Sequence, residues 1–209
     1  YKNSAAIPAN NAVGANIGID VGLNKLAVAS NSEVLLNINK TKQVKKIKKK
    51  LKRVQRSLSR KQEAAKSSPA INKSNNYLKQ LLEFNKIHRN LVNLRQNAIN
   101  QFVAKLVKTK PTKVVMEDLN ITGMLQNRYL AQSIGEANWS FFRIKMQQKC
   151  VQYGINFSLA NRFYPSSKLC SGCGHKKSSI TLSMRTYKCT NCNLVIDRDL
   201  NAALNLATQ

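Results

Sequence analysis

Two cysteine pairs near the C-terminus hold the most specific chemistry in this chain. Cys170 and Cys173 bracket one C-x-x-C turn, Cys189 and Cys192 bracket another, and fifteen residues separate the pairs. Thiolates at this spacing make the four-ligand set of a structural zinc site, each turn aiming two sulfurs at one ion. Gly172 and Gly174 supply the backbone freedom such a turn needs. Disulfides and plain burial are the alternatives, and the lack of a secretory signal weighs against disulfides. A shell of four thiolates leaves no coordination position open, so Zn²⁺ held there builds structure and does no chemistry.

A second set of candidates is acidic. The chain has only nine Asp and Glu residues, and five of them fall in three short segments. Asp20 stands in an apolar strand pattern over 16–22, between Gly18 and Gly22, where another backbone or a ligand could come close. Glu117 and Asp118 end an apolar strand over 113–119, and Asp197 and Asp199 follow the last cysteine at a helix start. An Asp inside an apolar strand is costly unless it is paired or holds a cation; a turn cap is the simpler alternative for Asp20. Hard oxygen donors suit Mg²⁺, which keeps several waters and binds through a few carboxylates plus substrate phosphate. Two such ions activate a water and stabilise the leaving oxygen of a phosphodiester displaced in line.

The elements that must carry these groups follow from periodicity. Segments 16–22, 26–30 and 33–37 read as a three-stranded antiparallel meander. Residues 41–66 carry Val44, Ile47, Leu51, Val54 and Leu58 at helical spacing, and a helix over about 74–108 follows the break at Ser67-Ser68-Pro69. These two pair as an antiparallel hairpin, with His88 placed on the apolar stripe as a core histidine. Strand 113–119, an irregular connection over 121–131, a helix over 138–153 stopped by Gly154 and a strand over 155–160 complete the core. Cys150, on that last helix, reads as packing. The order is α/β, and its carboxylates meet at one end of a mixed sheet in an RNase H-like layout.

Charge points to a polyanion. Thirty-five Lys and Arg give a net charge of +26 over 209 residues, more than solubility requires. Thirteen of the basic residues lie between Lys40 and Lys66 against one Glu. Lys45, Lys46, Lys48, Lys49, Lys50, Lys52, Arg53, Arg56 and Arg60 are therefore candidates to track nucleic-acid phosphates, a solvated hairpin being the plainer reading. No apolar run is long enough to span a membrane.

Together, Gly18-Ile-Asp20-Val-Gly22, Val114-Val-Met-Glu117-Asp118-Leu119, Tyr164-Pro-Ser-Ser-Lys-Leu-Cys170 and Asp197-Arg-Asp199-Leu-Asn201-Ala-Ala resemble the TnpB family of transposon-encoded nucleases, related to type V CRISPR effectors. The resemblance implies an RNA-guided DNA endonuclease whose RuvC-like core has an inserted basic hairpin and a zinc ribbon. Asp20, Glu117 and Asp199 match the family's catalytic carboxylates, converging on Mg²⁺, and Cys170, Cys173, Cys189 and Cys192 match the ribbon ligands. Asp197 then reads as a helix cap and Asp118 as structural. The implied organisation is a linker over 1–15, a core over 16–166 and 193–209 holding the hairpin at 41–108, and a ribbon over 167–192. Implied partners are DNA, a guide RNA and an N-terminal lobe of the same protein, in a prokaryotic cytoplasm with no membrane contact. The chain starts at Tyr1, close to the first core strand, and nothing in it matches that lobe, which suggests a piece of a longer protein. A guided binder without cleavage and a strand-transferring transposase are the alternatives.

Overall fold

The computed structural model describes residues 14–67, 74–181 and 183–209. The linker expected over 1–15 and the break at Ser68-Pro69 fall almost wholly outside these. The chain divides into two compact units, one of Ile38–Ala98 and one of the flanking sequence.

The flanking unit is built on a five-stranded mixed sheet in the order β3-β2-β1-β4-β5. Strands β1 (Ile17–Val21), β2 (Lys25–Ala29) and β3 (Val34–Leu36) form the antiparallel meander. β4 (Lys113–Met116) runs parallel to β1 and to β5 (Asn156–Leu159). Val114, Val115 and Met116 are buried, as a central parallel strand covered on both faces demands.

Helix α6 (Arg198–Ala207) crosses the sheet over β1 and fixes the functional end. Gly18 makes the crossing possible: a Cβ there would stand 2.0 Å from the Ala203 carbonyl oxygen and 2.4 Å from the Ala207 nitrogen. Only a residue without a side chain lets strand and helix backbones approach so closely. Ala202, Ala203, Leu206 and Ala207 are buried along the same helix.

Between β4 and β5 lie α3 (Ile121–Leu125), α4 (Ala131–Ala137) and α5 (Trp139–Gln152). The irregular connection expected over 121–131 is thus partly helical. Asn120 caps α3 by accepting from the Gly123 amide at 3.1 Å, a local device that hydrophobic spacing does not reveal. Asn138, in the left-handed region at φ 57°, separates α4 from α5. Buried Trp139 donates its indole N–H to the Leu26 carbonyl at 3.3 Å, tying α5 to β2. Cys150 is fully buried on α5, and Gly154 follows with φ 67°.

Strands β6 (Thr186–Lys188) and β7 (Val195–Asp197) form a separate antiparallel ladder around the second cysteine turn. β7 continues directly into α6.

The other unit contains α1 (Lys42–Ser67) and the first part of α2 (Asn75–Lys108). Val44 and Val54 are buried on α1, and Ile87 and Leu91 on α2. The antiparallel pairing is marked by Lys50 to Glu83 at 2.9 Å and Lys61 to Gln80 at 2.7 Å. His88 departs from expectation: it is exposed and stacks on Phe84 at 6.2 Å. The buried stripe passes through Ile87 and Leu91, which leaves the residue after Ile87 about 100° round the helix. Beyond Ala98, Phe102 of α2 packs edge-on against Phe142 of α5.

Candidate carboxylate cleft and thiolate metal centre

Strand and helix geometry bring the acidic residues to one place. Ile19 pairs with Met116, so Asp20 and Glu117 are the next residues along two adjacent parallel strands. Asp20 lies two positions beyond Gly18, on the same face of β1, about 6.6 Å along the strand. Asp199 lies four positions before Ala203, about 6 Å back along α6. The close crossing at Gly18 and Ala203 therefore sets Asp20 opposite the first turn of the helix. Asp20, Glu117 and Asp199 line a single cleft of 710 Å³.

The electrostatics agree with this geometry. Burial raises the Asp20 carboxyl well above its usual range, and the charges of Glu117 and Asp199 add to that, while Arg198 opposes it. Burial also raises Glu117, against a lowering hydrogen bond from the Val21 backbone. Asp199 has an ion-pair partner, the Arg198 guanidinium at 3.4 Å.

The neighbouring acids have other work. Asp197 caps α6, accepting from the Asp199 and Leu200 amides at 3.0 and 3.1 Å, and pairs with Lys25 at 2.8 Å. Partial burial would raise its pKa, but the Lys25 ammonium and the two amides outweigh this and hold it low. Asp118 points to Arg162 at 2.6 Å and Arg143 at 3.6 Å.

Lys25, Lys168, Arg185 and Arg198 also line the cleft and were not singled out from sequence. Arg198 had a visible signal, being enclosed by Asp197 and Asp199. The others arrive through turns whose course the sequence pattern does not disclose.

The four thiols form a tighter site. All four sulfurs lie within 4.8 Å of one another, and the Cys170–Cys192 and Cys173–Cys189 separations are 3.5 and 3.6 Å. A tetrahedral ion with bonds of about 2.3 Å to sulfur needs sulfurs about 3.8 Å apart, so the set fits. Gly174, at φ 72°, takes the left-handed turn that closes the first pair. The Asn191 side chain donates to Cys173 at 3.6 Å and is the main cause of that thiol's pKa falling to about 6, whereas burial pushes the Cys170 thiol up to about 12. Among the described residues, this is the one group of three or more Cys, His, Asp or Glu ligand atoms so closely gathered. The carboxylates share a cleft but are more widely spread.

Of the candidate phosphate contacts, Lys45, Lys46, Lys49, Lys50, Lys52, Arg53, Arg56 and Arg60 are exposed and Lys48 is half-buried. Lys50 is partly neutralised by Glu83. Lys52, Arg56 and Arg60, at four-residue spacing, line one groove on α1 with Gln55 and Ser59. No helix among the described residues is long and apolar enough to cross a membrane.

Comparison with known proteins agrees at both ends of the chain. Residues 3–128 match the OrfB_IS605 family profile, described as probable transposase, and residues 139–206 match the Cas12f1-like TNB domain. A Streptomyces pristinaespiralis protein named "Putative RNA-guided DNA endonuclease" is 32% identical over 92% of this chain and 44% of its own length. The Escherichia coli K12 protein InsQ, named likewise, is 27% identical over 91% of this chain and 48% of its own. The chain therefore spans less than half the length of these curated relatives. In fold it is similar to a Cas12f1 chain solved with sgRNA and target DNA, at TM-score 0.58, 20% identity, 92% of this chain and 49% of that one. A Cas12f ternary complex gives TM-score 0.63 at 22% identity, over 93% of this chain and 39% of that one. The chain belongs to the OrfB_IS605 family of probable transposases and carries a Cas12f1-like TNB domain in its C-terminal part.

Proposed function

We propose that this chain is the catalytic part of an RNA-guided DNA endonuclease, with an RNase H-like, RuvC-type core that hydrolyses phosphodiester bonds. The observation that carries the reading is the cleft where Asp20, Glu117 and Asp199 meet from β1, the end of β4 and the first turn of α6. The names of the relatives support it, and so do the nucleic acids in the Cas12f1 complex. Donor chemistry fits Mg²⁺: three carboxylates are present, and burial raises two of them above their usual range, a cost that a bound cation would offset.

In this reading Asp20, Glu117 and Asp199 would hold Mg²⁺, which when bound would activate water and stabilise the leaving oxygen. Arg198 keeps Asp199 oriented, and Lys168 and Arg185 meet substrate phosphate in the same cleft. Lys25 holds Asp197 to the cap of α6, which keeps that carboxylate out of the metal set. Cys170, Cys173, Cys189 and Cys192 hold Zn²⁺ as structure. The exposed Lys and Arg of α1 track phosphates of the guide RNA or DNA without reading sequence. Choosing the target falls to guide pairing and to an N-terminal lobe, in the part of the relatives' length that this chain does not span.

The test combines binding and turnover. Mn²⁺, used as a paramagnetic stand-in for Mg²⁺, should bind the chain, and D20A, E117A and D199A should each lose that binding while remaining folded. With Mg²⁺ and single-stranded DNA the chain should cut slowly and without guidance, and the three variants should not cut. Unchanged Mn²⁺ binding in all three would refute the assignment. Efficient cutting at a guide-matched plasmid site would show that these 209 residues contain their own targeting.

A further inference from the structure

Two asparagines on α6 make a connection that neither the cleft nor the thiolate centre explains. Asn201 and Asn205 stand one turn apart and are buried, at 0% and 6% exposure. A buried amide side chain is costly unless its donors and acceptor are used. Asn201 spends donor and acceptor, and Asn205 its donors, on one stretch of backbone, the approach to the first cysteine turn. Asn201 donates to the Leu169 carbonyl at 2.6 Å and accepts from the Ser171 amide at 2.9 Å, so it grips the chain on either side of Cys170. Asn205 donates to the Ser166 and Leu169 carbonyls at 2.7 and 2.8 Å. Tyr164 returns the contact by donating its hydroxyl to the Asn205 carbonyl at 3.2 Å.

The second cysteine turn reaches the same helix by another route. Its ladder, β6 with β7, runs straight into α6 through Asp197, the residue that caps the helix. Each half of the thiolate centre is therefore anchored to one ten-residue helix, one half by hydrogen bonds and the other by the chain itself. That helix presents Asp199 to the cleft two residues before Asn201.

We propose that Asn201 and Asn205 are positioning residues that clamp the first cysteine turn onto α6, so that Zn²⁺ at the thiols governs where Asp199 stands in the carboxylate cleft. With the ion bound, the two turns are one rigid body and the start of α6 is held from both sides. With the ion gone, the first turn separates from the second, Leu169 and Ser171 leave the amides, and buried Asn201 loses both partners while Asn205 loses one of two. The start of the helix must then open to hydrate them. Such coupling is reciprocal, so loss of the clamp must also weaken Zn²⁺ binding. Groups that hold and orient metal ligands typically contribute 10–100-fold to metal affinity. The inference rests on reading the four thiols as a Zn²⁺ site.

Hydrogen–deuterium exchange on the wild-type chain, Zn²⁺-loaded and Zn²⁺-stripped, tests it without any substitution. Stripping should raise exchange in peptides covering 168–192 and equally in 197–203, while 17–29 and 113–116 stay protected. Loosening confined to 168–192 would overturn the proposal. Zn²⁺ affinity, measured by competition with a chromophoric chelator, is the second measurement. It should fall about 10–100-fold in Asn201→Ala. Asn201→Asp keeps the acceptor for Ser171 but not the donor to Leu169, and should lie between. An Asn201→Ala chain that folds and binds Zn²⁺ as tightly as the wild type would overturn the clamp and leave the metal reading standing. A wild-type chain that binds no Zn²⁺ would overturn both.

Discussion

The thiolate centre and the carboxylate cleft are both places where like-charged ligands gather, yet they are assembled in opposite ways. The thiols come from two turns of four residues each, and their sulfurs close to within 4.8 Å of one another. The carboxylates come from positions 20, 117 and 199 and line an open cleft of 710 Å³. One site is made by local turns and is closed; the other is made by topology and stays open. A structural ion needs enclosure, whereas a reacting phosphate needs room and an approach. This difference predicts how each site fails.

The largest expected effect is removal of the Zn²⁺ proposed at the four thiols. Structural zinc sites contribute about 10–16 kcal/mol of apparent binding free energy in small metal-folded peptides, so stripping should unfold the ribbon locally. The five-stranded sheet has its own buried core and should survive. Circular dichroism and limited proteolysis across a chelator titration would check this, with cleavage expected in 168–196 and not in β1, β2 or β4. Complete unfolding on chelation would erase the distinction between the two sites.

Next in size is Gly18→Ala. The new methyl would meet backbone, which cannot swing aside, at 2.0 Å from the Ala203 oxygen. Overpacking costs about 1–3 kcal/mol where side chains can give way, and the upper end or beyond is expected here. Separation of α6 from β1 should weaken Mn²⁺ binding at the cleft while Zn²⁺ stoichiometry stays at one. Denaturant titration with metal analysis measures both. A Gly18→Ala chain of unchanged stability would mean that the crossing is looser than described.

The smallest effect concerns charge in the metal-free cleft. Asp20 and Glu117 titrate higher in the folded chain than in the unfolded one. The unfolded chain therefore releases these protons first as pH rises. The stability they contribute is complete below the ordinary carboxylate pKa of about 4 and is lost as pH rises through the folded values. Asp197 works in the opposite sense, since its lowered pKa makes its contribution disappear as pH falls. Asp20→Asn should then raise the melting temperature of the metal-free chain at neutral pH, by about 2–4 °C for each kcal/mol of burial and repulsion cost relieved, and flatten its decline above pH 4. Mg²⁺ should stabilise the wild type and not the variant. A lower melting temperature for Asp20→Asn without metal would show that its carboxylate is not strained by its neighbours.

The same contrast explains what was legible in the sequence. Cysteine spacing is a local code, so the four thiols that gather are legible directly. Asp20 stood out because an acid in an apolar strand needs a reason, and Gly18 because a bare backbone in a strand invites a close neighbour. That the neighbour is α6, more than 180 positions away, is a property of topology. Asp197 and Asp199 both fit a helix start; the resemblance makes Asp197 the cap, and the cap hydrogen bonds and Lys25 give that reading its physical reason. Helical spacing puts His88 on the apolar stripe, but periodicity drifts over a long helix and Ile87 takes the inward position. Helices α3 and α4 escaped notice because Asn120 and Asn138 punctuate them through side-chain and left-handed backbone geometry. Asn201 and Asn205 look like ordinary polar residues until their depth and partners are known.

Trp139 has a consequence outside the chemistry. It is the only tryptophan in the chain, it is buried, and it lines the cleft while its indole donates to Leu26 on the sheet. Its emission is therefore an optical signal with one source, free of contributions from any other indole. A red shift would report water reaching the joint between α5 and β2. Quenching by a paramagnetic ion would report arrival at the cleft in real time, with no dye attached and no residue replaced.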